Sequence, residues 1–381
     1  MAAEKGIAQM NLTLHLTNKC NLNCKYCFVK PGRESMSREV AFAAVRLGME
    51  NATSSGLLFY GGEPLLEKQL IYDIVGYTRE LKEKTGHVFH YKVTTNGTLL
   101  DEAFLKFSQE ANMSIGFSCD GPAQNDCRCF HDGSGSFDVL SEKIPLLLKY
   151  HPYSVAMSVV DPSTVHKAAE IVTFLYGKGF RYVTLNLNYD KAAPWTEKHL
   201  SVLEGEYRKM AKMYVTWTLA EEKFYLSPFD MKILSHLKGE KYNADRRMMN
   251  REQPSVAPDG TVHSRSRYVD NPVYAIGNVF DGIDPVKCDL IEEKGAIPPA
   301  PCRACALLPR CNYAYDSLNR EATDTAEFVP DISPVQCAHE QLLTPIADDA
   351  AKTLYRERSA MFIHKHYNEL YPVLSLVEDK G

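Results

Sequence analysis

Eleven cysteines are distributed unevenly through the 381-residue sequence, and two groups of them have spacings that do chemistry. Cys20, Cys24 and Cys27 read C-x3-C-x2-C, with no further Cys or His in the next ten residues. Three thiolates on a short loop hold three irons of a cubane cluster, whereas a structural zinc site asks for four ligands. The shortfall leaves one iron open to a ligand that is not protein. Cys302, Cys305, Cys311 and Cys337 supply four thiolates. That set saturates a [4Fe-4S] cluster or a zinc ion, and spacing alone does not choose between them. Cys119, Cys127, Cys129 and Cys288 fall outside both groups.

The elements that must position these groups alternate. Strand-like segments over 10–17, 56–64, 89–97, 113–122, 154–162 and 182–189 are separated by helical spacing over 37–50, 70–84, 102–110, about 139–150 and 166–179. Ser37 is placed to cap the first helix. Each parallel crossover needs a helix to return the chain, so the pattern predicts a parallel α/β sheet. Six units fall short of a closed eight-fold barrel, which makes a partial (β/α)6 TIM-like barrel the expected core. GGEP (61–64), TNG (95–97) and SCDGP (118–122) all fall at C-terminal strand ends, the ligand face of such a sheet. Beyond residue 195 the pattern changes to a long helix over 196–224, a polar connection, and a hairpin turning at Pro258-Asp259-Gly260. A cysteine-rich irregular stretch and a helical tail over 339–376 complete the chain. The expected divisions are a tail (1–9), the barrel (10–195), a helical linker (196–250), a small cysteine-rich domain (251–340) and terminal helices (341–381).

Composition narrows the function. With 45% hydrophobic and 24% charged residues the chain is globular, and a net charge of -5 argues against a nucleic-acid partner. No run approaches the roughly 18 apolar residues of a membrane span. The opening residues lack the basic and apolar regions of a signal peptide. A soluble, cytoplasmic protein is expected, in which clustered cysteines mean metal or redox chemistry rather than disulfides.

The cysteine loop, with Tyr26 before its last cysteine, and the GGEP after the second strand together resemble the radical S-adenosylmethionine (radical SAM) superfamily over residues 10–190. The resemblance implies that S-adenosylmethionine (SAM) chelates the open iron. Its reductive cleavage gives a 5′-deoxyadenosyl radical that takes hydrogen from substrate, fed by a one-electron donor such as flavodoxin or ferredoxin. It also implies Tyr26 beside the adenine, and Gly61, Gly62, Glu63 and Pro64 at the methionyl amino group. Asn96, Ser118 and Asp120 would line the ribose and methionyl side, with Leu187 near the adenine. Cys127 and Cys129 leave the barrel at its catalytic end, as hydrogen donors, substrate contacts or packed thiols without a role. Cys119, alternating with Ser118, faces the helices.

The hairpin, residues 277–284 and the second cysteine group resemble the SPASM extension of many radical SAM enzymes, which normally carries two auxiliary clusters. Cys302, Cys305, Cys311 and Cys337 match the distal cluster in full, and the context favours iron over zinc. The nearer cluster departs from the pattern. Arg265 stands near one expected cysteine and Tyr315 at another, so two [4Fe-4S] clusters in total are expected, with a cationic, hydroxyl-rich pocket in place of the third. Arg246, Arg247, Arg251, Arg265 and Arg267 would hold acidic residues of a peptide or simply solvate a surface. The implied activity is modification of a ribosomally made peptide or protein by cross-linking, epimerisation or oxidation. No peptide-recognition domain fits before residue 9, so a separate protein or another surface would read a leader. Three alternatives stand beside it: radical chemistry on a small molecule, formylglycine formation by a sulfatase-maturing type of enzyme, and a non-enzymatic iron–sulfur sensor or scaffold.

Overall fold

The computed structural model describes residues 7–190, 192–239, 252–269, 271–295, 297–313 and 332–368. In chain order the strands of the first part are β1 (Ile7–Thr17), β2 (Leu22–Cys24), β3 (Ala52–Gly61), β4 (Val88–Thr95), β5 (Met113–Ser118), β6 (Arg128–Phe130), β7 (Val155–Val160), β8 (Tyr182–Leu187) and β9 (Tyr225–Leu226). Between them run helices α1 (Arg38–Asn51), α2 (Lys68–Thr85), α3 (Glu102–Glu110), α4 (Gln124–Cys127), α5 (Phe137–Tyr150), α6 (Ala168–Gly177) and α7 (Glu197–Leu219). Helix α8 (Ser227–Lys238) precedes the short strands β10 (Ser255–Val256), β11 (Thr261–His263), β12 (Ala275–Asn278) and β13 (Gly282–Ile283). Helices α9 (Pro285–Gly295), α10 (Pro334–Arg356) and α11 (Ala360–Tyr367) follow.

All six expected strands form, each followed by its helix, and Ser37 caps α1 by accepting the Val40 N–H at 3.1 Å. The long helix ends at Leu219 rather than 224, and a seventh parallel strand, β9, adds to β8. The tail is two helices broken at 357–359, where Arg358 adopts φ +54 and Ser359 caps the second. Residues 369–376 of the expected tail, together with Arg246, Arg247, Arg251 and Tyr315, lie outside the described residues.

Eleven strands make one sheet in the order β13-β12-β11-β10-β1-β3-β4-β5-β7-β8-β9. Pairing is parallel from β10 across to β9, and antiparallel within β10–β13. The hairpin turns at Gly260, φ +91, as the Pro-Asp-Gly triplet predicts. Its first strand joins β1 through the pairs Thr13↔Ser255 and Leu14↔Val256.

The two faces of the sheet differ chemically, because successive side chains alternate. Leu12, Leu14, Leu16, Phe59, Val93, Ile115, Phe117, Val160 and Val183 are buried with the helices. Each such side chain contributes about 1.5–3 kcal/mol. The opposite, concave face carries Thr13, His15, Tyr60, Lys92, Thr94, Ser118, Thr184 and Asn186. At the open end, α7 packs on α10. There the Tyr207 hydroxyl and His339 Nδ1 are 2.5 Å apart, and a buried Lys232–Glu340 ion pair closes at 2.5 Å. Among the described residues no helix is long and apolar enough to cross a membrane.

Candidate functional site

The cysteine loop leaves β1 and is held at its root by the two glycines that end the next strand. Gly62 donates to the Thr17 carbonyl at 2.7 Å and Glu63 to the Lys19 carbonyl at 2.8 Å. Gly61 has φ +127, and a Cβ on Gly62 would lie 2.1 Å from the Lys19 oxygen. Only glycine fits there, and the backbone that comes close is that of the cysteine loop itself. Glu63 is fully buried and accepts from Leu65 N–H, Asn96 N–H and the Thr95 hydroxyl at 2.7–2.9 Å. Burial still outweighs these donors and raises its pKa to about 6. Pro64 opens the short 3-10 turn Pro64–Glu67. Asn96, fixed through Glu63, donates to Asn21 Oδ1 at 2.8 Å and reaches Cys20 Sγ at 3.8 Å.

The far side of the loop is a strand pair that the sequence did not suggest. β2 pairs with β6, placing Cys24 opposite Arg128 and Asn23 opposite Cys129. Arg128 Nε donates to Asp120 at 2.9 Å and its guanidinium lies 5.1 Å from the centre of the Tyr26 ring. The Tyr26 hydroxyl also donates to Asp120, whose other oxygen accepts from Ser158 Oγ at 3.1 Å and Val159 N–H at 2.9 Å. A carboxylate has about four acceptor sites, and Asp120 fills them with protein groups. Arg128 lies in a stretch that the sequence marks, from Asp120 to Cys129, but its partners Asp120 and Tyr26 are visible only in the structure.

Cys20, Cys24 and Cys27 lie within electrostatic reach of one another. Burial pushes the Cys20 thiol up to about 12, against the Leu22 N–H aimed at its sulfur, with Glu63 and the neighbouring thiols adding to the rise. Burial also raises Cys24, while Arg128 opposes it. Ser118 is half-buried at the end of β5 on the concave face, while Leu187, paired with Val160, sits 4% exposed in the apolar layer. Cys119 is buried on the helix side as expected. Cys127 is buried, and burial raises its thiol to about 11, whereas Cys129 is half-buried and donates to the Asn125 carbonyl.

In the second group Cys302 ends a 3-10 turn, Cys305 donates its N–H back to the Cys302 carbonyl at 3.0 Å, and Cys337 lies in the first turn of α10. Cys337 feels both Cys302 and Cys305, and Cys311 Sγ accepts the Tyr313 N–H at 3.4 Å. None of the eleven cysteines is in a disulfide. Among the described residues no three Cys, His, Asp or Glu side chains converge on one ion.

His15, on the concave face, carries a testable consequence. It is 1% exposed, and neither ring nitrogen has a hydrogen-bond partner among the described residues. Burial, helped by nearby His263, lowers its pKa to about 3. The unfolded chain's histidine titrates near 6.5, so between those values the unfolded state binds more protons. Stability present above pH 6.5 is therefore lost as pH falls towards 3. From pH 7 to pH 5 the loss from this ring is about 2 kcal/mol, and His15→Phe is expected to remove it. Urea titrations of metal-free protein at both pH values read the difference; an equal drop in the two proteins would refute the assignment.

The radical SAM superfamily profile matches residues 14–175, from β1 into α6. Residues 14–175 thus match a radical SAM domain. A serine-type anaerobic sulfatase-maturating enzyme of Bacteroides thetaiotaomicron is 25% identical over 343 residues, covering 77% of this chain and 79% of that protein. A cysteine-type anaerobic sulfatase-maturating enzyme of Clostridium novyi is 27% identical over 183 residues, 44% of this radical SAM chain and 48% of its own length. The solved structure of native anSMEcpe with bound AdoMet and Kp18Cys peptide superposes with a TM-score of 0.74 at 20% identity, covering 91% of this chain and 99% of that one. The likeness in fold therefore covers about nine-tenths of this chain.

Radical SAM proteins work with a [4Fe-4S] cluster and SAM. The loop fits that pair. It offers three thiols in mutual electrostatic reach and a backbone N–H already pointed at one sulfur.

Proposed function

We propose that this radical SAM enzyme takes a hydrogen atom from a side chain of a ribosomally made peptide or a protein, giving a cross-link, an epimerised centre or an oxidised residue. The observation that carries the reading is the likeness to the Bacteroides enzyme, which covers 77% of this chain. Cys20, Cys24 and Cys27 would hold the [4Fe-4S] cluster. When bound, the cluster and SAM supply a 5′-deoxyadenosyl radical. The chain's own part is positioning. Gly61 and Gly62 fix the loop root, Glu63 fixes Asn96, and Asn96 and Ser118 face the cofactor. Asp120 acts through Tyr26 and Arg128, and Pro64 shapes a wall, while Leu187 packs in the apolar layer behind the strand end. Cys302, Cys305, Cys311 and Cys337 would hold one auxiliary cluster, used for electron transfer or support, making two clusters in all. Of the two loop thiols, Cys129 is the one able to meet substrate. A flavodoxin or ferredoxin would deliver the electron and a separate protein would present the peptide leader.

A second reading, maturation of a sulfatase side chain, is favoured by the names of the relatives. Anaerobically reconstituted enzyme with SAM, reductant and a cysteine- or serine-type sulfatase peptide separates the two. We expect 5′-deoxyadenosine with the sulfatase peptide unchanged, and modification, read by mass spectrometry, of a short peptide encoded beside the gene. Conversion of the sulfatase peptide to an aldehyde would replace the first reading by the second. No 5′-deoxyadenosine would remove both.

A further inference from the structure

The sheet stops short along β8. β9 pairs only with Tyr182 and Val183, and beyond them the Leu185 N–H donates to Ser227 Oγ at the start of α8 instead of to a strand. Past that edge lies a cavity of about 150 Å³. Separate parts of the chain wall it: the end of β8, α8, the 3-10 turn Ser266–Tyr268, and the residues that follow Cys311 and flank Cys337. Asn186, Tyr189, Arg267, Asn312, Tyr313 and Gln336 all line it. Much of this polar lining is sealed from outside: Asn312 is 7% exposed, Tyr313 8% and Gln336 1%. Polar groups are costly to bury unless bonds hold them, and these are held. The Tyr313 hydroxyl donates to that of Tyr189 at 2.6 Å, and Gln336 Oε1 accepts the Ser333 N–H at 3.1 Å. The walls are therefore set before anything binds.

Arg267 is the exception. Among the described residues its guanidinium makes no hydrogen bond or ion pair, and it lies within electrostatic reach of the Tyr189 hydroxyl. No described aspartate or glutamate lines the cavity. The second cation there, Lys232, is already neutralised, with both Glu340 oxygens 2.5–2.6 Å from its Nζ. Amides, phenols and one unneutralised guanidinium thus surround the cavity, a set suited to an anion. At about half the roughly 300 Å³ of the smallest ordinary ligand pockets, it takes one side chain or chain end rather than a whole ligand. Register ties it to the cysteine loop. Asn186 pairs with Val159, whose N–H donates to Asp120, and Asp120 accepts from Tyr26. β8, β7 and β5 are neighbours, so the cavity stands about two strand spacings, roughly 10 Å, from Asp120. An extended peptide covers that in about three residues. We propose that Arg267 and the cavity beside it bind a carboxylate of the substrate peptide, a few residues along from the side chain that reacts. This rests on the peptide reading above and adds what the peptide must carry. Two carboxylates have this chemistry, an acidic side chain and the chain terminus.

Equilibrium binding to the cluster-loaded, SAM-bound enzyme, followed by saturation-transfer NMR, tests it with three probes. N-acetyl-glutamate methylamide carries only the side-chain carboxylate and N-acetyl-alanine only the terminal one, while N-acetyl-glutamine methylamide is neutral. At least one acid is expected to bind about tenfold more tightly than the neutral probe, and which acid does so identifies the source. Arg267→Met should lose that margin. Asn186→Asp, which sets a carboxylate on the wall of a cavity whose Arg267 is intact, should lose it as well, while the neutral Asn186→Gln keeps it. Asn186 is exposed, so its variants leave the core untouched and a misfolded arginine variant cannot decide the matter alone. Equal binding of all three probes, or acid binding that survives both Arg267→Met and Asn186→Asp, overturns the proposal. Binding needs no turnover, so that result leaves the peptide reading standing. Failure of the peptide reading would show instead as acid binding with no peptide modified.

Discussion

Cys24→Ala is expected to cut 5′-deoxyadenosine formation to below about a thousandth of the wild-type rate, because the step depends on a cluster the variant cannot hold. Iron should fall from about eight to about four per chain. The comparison that gives this meaning is Cys302→Ala. It should also lose about four irons, yet keep cofactor cleavage within about tenfold, since its site would serve the later fate of the electron. Iron content alone would not separate the two loops; the split between iron and cleavage does. Cys24 suits the test because it anchors the loop in a strand pair opposite Arg128, so the backbone path survives the loss of the sulfur. Undiminished cleavage in Cys24→Ala would overturn the assignment of Cys24 to the cluster, and no cleavage by the wild-type chain would leave only the sensor or scaffold reading. About twelve irons in the wild-type chain would restore the auxiliary cluster that Arg265 and Tyr315 argue against.

Arg128→Met is expected to destabilise the protein by about 3–5 kcal/mol, the usual cost of stranding one partner of a buried pair. Asp120 is 1% exposed and Arg128 8%, so water reaches neither to compensate. The variant also gives up the guanidinium stacked on Tyr26, worth about 1–2 kcal/mol when desolvated. Combining it with Asp120→Asn should recover part of the loss, because the stranded charge is then gone. Urea denaturation of the single and double variants reads both effects. A single-variant cost below about 1 kcal/mol would mean that the network is peripheral to the fold.

Much of the barrel was legible because its alternation of strand and helix patterns is local. Six strands and their helices fall where apolar spacing puts them, and Pro258-Asp259-Gly260 turns the chain as its φ demands require. What escaped was short or long-range. β9 is two residues and β2 three, too few to show a period, and β2 exists only because β6 lies beside it. The site divides in the same way. The cysteines and the Gly-Gly pair announce themselves by type and spacing. Asp120 was visible, but its full set of protein partners was not, since Ser158 and Val159 arrive from another strand. His15 could have been found: it shares parity with Thr13 and Thr17, which a strand count alone assigns to one face.

The short strand Ser255–Val256 has an outcome beyond geometry. It hydrogen-bonds to the strand that feeds the cysteine loop, more than two hundred residues upstream. A chain ended before Ser255 would leave β1 with a raw row of amide and carbonyl groups, an invitation to intermolecular pairing. Such a shortened protein should precipitate rather than persist as a free-standing barrel. The seam between first and last parts also forms only once most of the polypeptide exists, which sets a late step in its folding.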